Sequence, residues 1–301
     1  MRIKHSRHFP WLLYLAPALL VYTVFMAFPL IDSLRLSLFS GNNQVTRVFV
    51  GLDNFKRLFT DPEISTRYWG AFFNTWKFFF VHFIVQNGLG IFFAVLLTQE
   101  TMKGRQIYQT IIFIPTTFAV LITGYLWKLM LNPVWAGDFL VSIGLPFLKH
   151  PYLGDTNTAL WAVSLVSCWQ WLGIPTMMFV AALRNINVEL LEAARLEGAG
   201  SVKTFWYIKL PLIKPIVGIV AVLTFVNNFN AFDIVFAMEN VNGAPEYSTD
   251  LIGTLFYRYG IAGQHPIGIP DAGLGAAIAT ITFLLLMVLV IPTLRQTQRG
   301  A

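Results

Sequence analysis

The stretch Glu192-Ala193-Ala194-Arg195-Leu196-Glu197-Gly198-Ala199-Gly200, continuing through Ser201 to Ile208-Lys209-Leu210-Pro211, is the anchor for reading the rest of the chain. Arg184, Glu189, Glu192, Arg195, Glu197, Lys203 and Lys209 fall within it or just before it, and long apolar runs flank it on both sides. So much charge has no reason to sit in lipid. Asn187 is a suitable N-cap, with Glu189 in the first turn where an acid suits the helix dipole. Val188, Leu191 and Ala194 follow at three-residue steps, and Gly198 and Gly200 permit a reversal. Ser201 can cap a second short helix that Pro211 is expected to end, because the residue before proline avoids the helical region. The expectation is a helix, a glycine turn and a helix, held between two membrane spans.

Composition supports the spans. Of 301 residues 56% are hydrophobic and 12% charged, against about 25% charged in ordinary soluble domains; mean hydropathy is +0.62. A spanning helix needs about 20 mostly apolar residues. Six stretches qualify: Trp11 to Ile31, Ala71 to Thr98, Gln109 to Leu131, Thr156 to Leu183, Pro215 to Phe236, and Gly273 to Leu294. Lys77 and His82 interrupt the second; Lys77 is expected to snorkel to the interface and His82 to be a hydrogen-bonded packing residue. The first run is longer than a signal-peptide core and lacks a convincing cleavage site, so it reads as a retained helix. The fold class is all-α: a polytopic membrane protein with six transmembrane helices. Its organisation is an N-terminus at 1–10, a transmembrane region at 11–294 containing the loop 184–214, and a C-terminus at 295–301.

The net charge of +6 does not point to nucleic acid, because the basic residues cap apolar spans instead of gathering on one soluble face. Lys and Arg in the connections favour both termini inside, twelve residues against seven, although the first outer loop carries five of those seven. That loop alternates apolar and polar residues around Leu52, Phe55, Leu58 and Phe59, which suits a short amphipathic helix. The last outer loop carries Asn242-Gly243-Ala244-Pro245, a turn signal, and ends near Pro266 and Pro270. One cysteine, Cys168, excludes an internal disulfide framework, and no metal-binding cluster or nucleotide-binding GxxxxGK[ST] stretch is present. A membrane-embedded enzyme would need a metal or nucleophile constellation that the sequence lacks.

The spacing Glu-Ala-Ala, three residues, Gly198, nine residues, Ile208, one residue, Leu210-Pro211 resembles the EAA loop of bacterial ABC importer permeases. Phe49-Val50-Gly51-Leu52-Asp53-Asn54-Phe55, the pair Asn74-Thr75, and Trp169-Gln170-Trp171-Leu172-Gly173 are similar to the binding-protein-dependent sugar permeases, the group including the maltose, lactose and glycerol-3-phosphate permeases. Asn242-Gly243-Ala244-Pro245, where the family often has Gly-Gly-Pro, and Glu197, where it usually has Asp, are departures. The resemblance implies a type I importer permease fold in the bacterial inner membrane. It also implies a second homologous permease, a dimer of ATP-binding subunits and an extracytoplasmic solute-binding protein as partners. No cofactor is expected on this chain, with ATP and Mg on the ATP-binding partner. Glu192, Ala193, Ala194, Gly198, Ile208, Leu210 and Pro211 would couple to that ATPase, Glu192 as the charged contact.

Polar groups inside spans are costly and mark candidate transport sites. The fifth span offers Asn227, Asn228, Asn230 and Asp233, with Asn227 and Asn230 three apart on one face. Amides suit sugar hydroxyls because each both donates and accepts. By resemblance to the maltose permease, Asn227 and Asn230 fall on sugar-contacting positions, as do Trp169, Leu172, Gly173 and Thr176, although that permease has Asn for Trp169 and Tyr for Thr176. Gln170 could hydrogen-bond but points about 100° from Trp169 on an ideal helix. Interhelical packing is the competing reading for all of these. An ion-coupled secondary transporter, the alternative function, would need acids deep within spans, and Asp233 near a membrane face is its only candidate.

Overall fold

The computed structural model describes residues 9–41, 47–99, 101–135, 137–262 and 270–299. The N-terminal basic residues Arg2, Lys4 and Arg7, and Pro266 of the loop before the last span, lie outside that set. Among the described residues, four helices are long and apolar enough to cross a membrane unbroken: α1 (Tyr14–Leu36), then Pro62–Leu97, Ser201–Phe229 and Ala272–Thr293. Two bent pairs bring the number to six when each is counted as one span, Arg105–Thr117 with Val120–Met130 at 96° and Ala159–Trp171 with Gly173–Arg184 at 45°.

After α1, the strands β1 (Phe39–Ser40) and β2 (Val48–Phe49) form a minimal antiparallel ladder, Phe39 opposite Phe49. The amphipathic segment expected in this loop is α2 (Asp53–Thr60), which buries Asn54 and Leu58. Asn54 earns its burial by donating to the Ser37 and Phe39 carbonyls at 2.9 and 2.7 Å. Asp61 then caps α3 (Pro62–Leu97), accepting from the Glu63 and Ile64 amides at 3.0 and 3.1 Å. This second span starts nine residues earlier than its apolar run suggested, so Asn74-Thr75 lies mid-helix. There Asn74 donates to the Ser248 carbonyl and Thr75 accepts from the Ile252 amide, each at 3.0 Å, which ties α3 to the loop before the last span.

The third span is α4 (Arg105–Thr117) and α5 (Val120–Met130), separated by extended backbone at Phe118 and Ala119. A short helix, α6 (Gly137–Ser142), precedes α7 (Ala159–Trp171), and α7 bends into α8 (Gly173–Arg184). The bend has a cause in Pro175: it has no N–H for the Trp171 carbonyl four residues back. Gln86 of α3 donates to that carbonyl instead, at 3.0 Å.

The 184–214 region contains α9 (Val188–Leu196) followed directly by α10 (Ser201–Phe229). Two expectations are corrected here. Gly200 is the N-cap residue and Ser201 the first helical one, with no side-chain cap. Nor does Pro211 end a helix. A π-turn over Phe205–Lys209 lets the Leu210 amide bond to the Phe205 carbonyl, and the proline that follows has no N–H to place. The second short helix is therefore the base of the fifth span. The same device occurs in α1, where the Phe28 amide bonds to the Thr23 carbonyl just before Pro29.

The fifth span ends at Phe229, seven residues before its expected limit. Asn228 and Asn230 turn their amides back onto the carbonyls of Thr224 and Val226, at 2.6 and 2.9 Å, in competition with helix continuation. After the break at 230–232, α11 (Asp233–Glu239) packs on α5, so closely that a Cβ on Gly124 would meet the Ala237 methyl at 2.5 Å. The loop after α11 then leads through α12 (Ile252–Tyr257) to α13 (Ala272–Thr293). Three buried apolar clusters hold the bundle, and residues of α3 enter all of them.

Candidate functional site

The α9 turn is built as its sequence implies. The Asn187 side chain accepts from the Glu189 amide at 3.0 Å. Gly198 takes φ +79°, a left-handed conformation that a Cβ would strain, and the Ala199 amide bonds to the Ala194 carbonyl at 2.9 Å. Ala194 is buried, and Leu191 and Leu210 pack into the cluster between α3, α8 and α10. Glu192, Ala193, Gly198 and Pro211 are exposed, while Ile208 is half-buried. Beside them stand apolar side chains that the sequence reading passed over: Leu196 is 90% exposed, Tyr207 80%, Val202 72% and Trp206 60%. Large apolar residues inside a charged loop were the available signal.

A cavity of about 460 Å³ opens between α3, α7, α8 and α10. Its lining follows helical periodicity. Phe78, His82 and Gln86 come from α3 at steps of four; Ser167, Trp171, Ile174 and Met178 come from α7 and α8 at steps of four, three and four. Val220, Thr224, Asn227 and Asn228 come from α10, and Asn230 and Asp233 stand at the break above it.

Of the sequence candidates, the structure brings Asn227 and Asn230 into this cavity; the candidates from the fourth span lie elsewhere. Trp169 packs edge-to-face on Trp127 at 5.4 Å. Gln170 is fully buried and donates to the Phe118 carbonyl at 3.1 Å, serving the break between α4 and α5. Gly173 permits close approach of α4, since a Cβ there would sit 2.9 Å from the Phe113 Cα. Thr176 is buried and donates to the Leu172 carbonyl at 2.8 Å, and Leu172 itself forms the corner between α7 and α8. Trp171 takes the lining position instead of Trp169. His82, read from sequence as a packing residue, is both hydrogen-bonded and part of the lining, with Phe78 at 2.8 Å and Ser167 at 2.9 Å. Among the described residues no group of three or more His, Cys, Asp or Glu side chains is placed to hold a metal.

Residues 86–296 match the family described as binding-protein-dependent transport system inner membrane component. The chain belongs to that family. It is a multi-pass membrane permease with the type I permease fold. The arabinooligosaccharides transport system permease protein AraP of Bacillus subtilis (strain 168) is 28% identical over 94% of this permease and 87% of AraP. The trehalose/maltose transport system permease protein MalF of Thermococcus litoralis is 30% identical, over 91% of this chain and 89% of that one. In fold, the permease superposes with a TM-score of 0.79 on a chain of a bacterial alginate ABC transporter in complex with alginate pentasaccharide-bound periplasmic protein. That match has 23% identity and covers 96% of this chain and 94% of the other.

Proposed function

We propose that this permease is one membrane subunit of an ATP-driven importer for a sugar or sugar-like solute. A solute-binding protein delivers the solute from outside, and a dimer of ATP-binding subunits, carrying ATP and Mg, drives the cycle from the termini side. A second, homologous permease completes the channel, and this chain hydrolyses nothing. The observation that carries the reading is that α10 joins both candidate sites. Its base adjoins the exposed Glu192, Leu196, Val202 and Tyr207, and its far end lines the amide-rich cavity with Asn227. An exposed apolar patch with a flanking acid suits a groove on another protein. Relatives named for arabinooligosaccharides and for trehalose and maltose support a saccharide as cargo.

The coupling role is tested by Glu192→Lys and Leu196→Asp in the co-expressed complex. Both variants should insert and yet lose copurification with the ATP-binding subunit or lose solute-stimulated ATP hydrolysis; unchanged copurification and transport would sink the role. The cavity role is tested by Asn227→Ala combined with Asn230→Ala, which should lower transport while the complex still assembles. Normal transport by the double variant would remove the pair from the path.

A further inference from the structure

The hydrogen bonds around the cavity have directions, and those directions are fixed by groups that can only accept. Backbone carbonyls have no proton, so the amide atom bonded to each must be nitrogen. Gln86 spends an N–H on the Trp171 carbonyl, Asn228 on Thr224, and Asn230 on Val226, at 3.0, 2.6 and 2.9 Å. The three side-chain oxygens are left over, with one further N–H on each amide and the amide of Asn227 beside them. The oxygen of Asn228, in a residue 5% exposed, has no partner among the described residues.

His82 extends the pattern to Ser167. The neutral imidazole has one N–H. Nδ1 faces the Phe78 carbonyl at 2.8 Å and must hold the proton, so Nε2 accepts from the Ser167 hydroxyl at 2.9 Å. The hydroxyl proton is thereby committed and its lone pairs are what remain for the cavity. Asp233 adds a carboxyl group at the break, and no Lys or Arg is among the lining residues.

We infer that this wall reads hydrogen-bond donors, favouring uncharged or amino-bearing solutes rich in O–H and N–H and disfavouring those that carry carboxylate or phosphate. The amide N–H groups that remain could still meet an anion, but no lining Lys or Arg balances its charge and the Asp233 carboxyl stands beside it. The inference rests on the cavity being the solute path, and the experiment separates the two.

The assembled permease–ATPase complex, in nanodiscs without its binding protein, is presented with maltotriose, the glucosamine trimer and trigalacturonate, and binding is read by saturation-transfer NMR. The neutral and amino trimers should bind about tenfold or more tightly than the uronate, the equivalent of one charge-assisted contact. Asp233→Lys, at an exposed position, should shift the preference toward trigalacturonate, and Ser167→Ala should weaken maltotriose binding while Ser167→Thr restores it. Uronate binding equal to maltotriose in the unaltered complex, or a preference unmoved by Asp233→Lys, overturns the donor reading and leaves the path intact. Absence of binding by every trimer, or maltotriose binding indifferent to Asn227→Ala with Asn230→Ala, overturns the path and the donor reading with it.

Discussion

Asp250 and Arg258, each 2% exposed, form a buried ion pair inside the loop between the fifth and sixth spans. Thr254 donates to the same carboxylate at 2.6 Å, and the Arg258 guanidinium also reaches the Val241 carbonyl at 2.9 Å. The pair therefore fixes both limbs of the loop, and Asn74 and Thr75 tie that loop to α3. Removing one partner leaves the other charge buried alone, which costs about 3–5 kcal/mol, whereas replacing both by apolar groups of similar volume is often tolerated. Asp250→Leu or Arg258→Met should each lower the thermal midpoint of the detergent-solubilised protein sharply, and the double substitution should recover much of the loss. A double variant as unstable as the sum of the singles would contradict this account.

Gly273 and Gly253 sit where backbones touch. A Cβ on Gly273 would overlap the Phe39 carbonyl oxygen, and one on Gly253 would overlap that of Ala231. Backbone cannot yield as a side chain can, and overpacking of this kind costs about 1–3 kcal/mol or more. Gly273→Ala and Gly253→Ala should each reduce the yield of monodisperse protein in size-exclusion chromatography. Gly88→Ala, which would meet nothing within 4 Å, is the matched control and should behave as the parent.

Gln170 and Gln86 serve as replacements for missing helical amides, one at the α4–α5 break and one at the Pro175 bend. Gln170→Leu would leave the Phe118 carbonyl unsatisfied, at a cost of about 1–3 kcal/mol. The expected result is a lower thermal midpoint and faster hydrogen exchange confined to α4 and α5. Gln86→Leu should instead affect α7 and α8, and a reversal of the two patterns would refute the assignment.

Asp271 titrates outside the spans. Burial alone would raise its carboxyl, but the Leu274 amide, Arg57 and Ser40 outweigh burial and hold it below its ordinary value of 3.8. Arg57 lies at 3.1 Å, and the Gly273 amide also donates to the carboxylate at 3.1 Å. A carboxyl depressed in the folded state contributes stability above its unfolded pKa and loses it as pH falls through the lower folded value. The stability advantage of the parent over Asp271→Asn should thus be full at neutral pH and fade below about pH 4. Thermal melts from pH 3 to 7 measure the difference, and a constant gap across that range would exclude the carboxylate as its source.

Much of this architecture is carried by local pattern. The apolar runs locate the four unbroken spans and both bent pairs, and Asn187, Glu189 and Gly198 specify the α9 turn from their own chemistry. What local pattern leaves out is the exchange of hydrogen bonds between helices. Pro211 looks like a terminator because an α-helix needs its amide; the π-turn before it removes that need. Asn230 looks like a solute ligand throughout, yet an N–H of its amide is engaged by its own helix. Trp169 and Trp171 are the same residue type two positions apart, with Gln170 between them. Only the bend at Leu172, and the α5 indole of Trp127, divide their surroundings. A helical projection that placed Ser167, Trp171, Ile174 and Met178 on one face would have favoured Trp171, because Ser167 lies one turn from it, whereas the residues one turn from Trp169 are Leu165, Val166, Leu172 and Gly173.

The 29 residues of α10 form one unbroken rod from the glycine turn to the cavity, about 43 Å at roughly 1.5 Å per residue. A rod of that length works as a lever arm: pivoted at its base, a tilt of about 10° carries its far end sideways by about 7 Å. Asn227 and Asn228 ride on that end, and Asn230 follows at once, so a tilt of the rod by that angle would displace all three by more than the width of a water molecule. The π-turn and Pro211 that let the helix run on are what give the arm its reach.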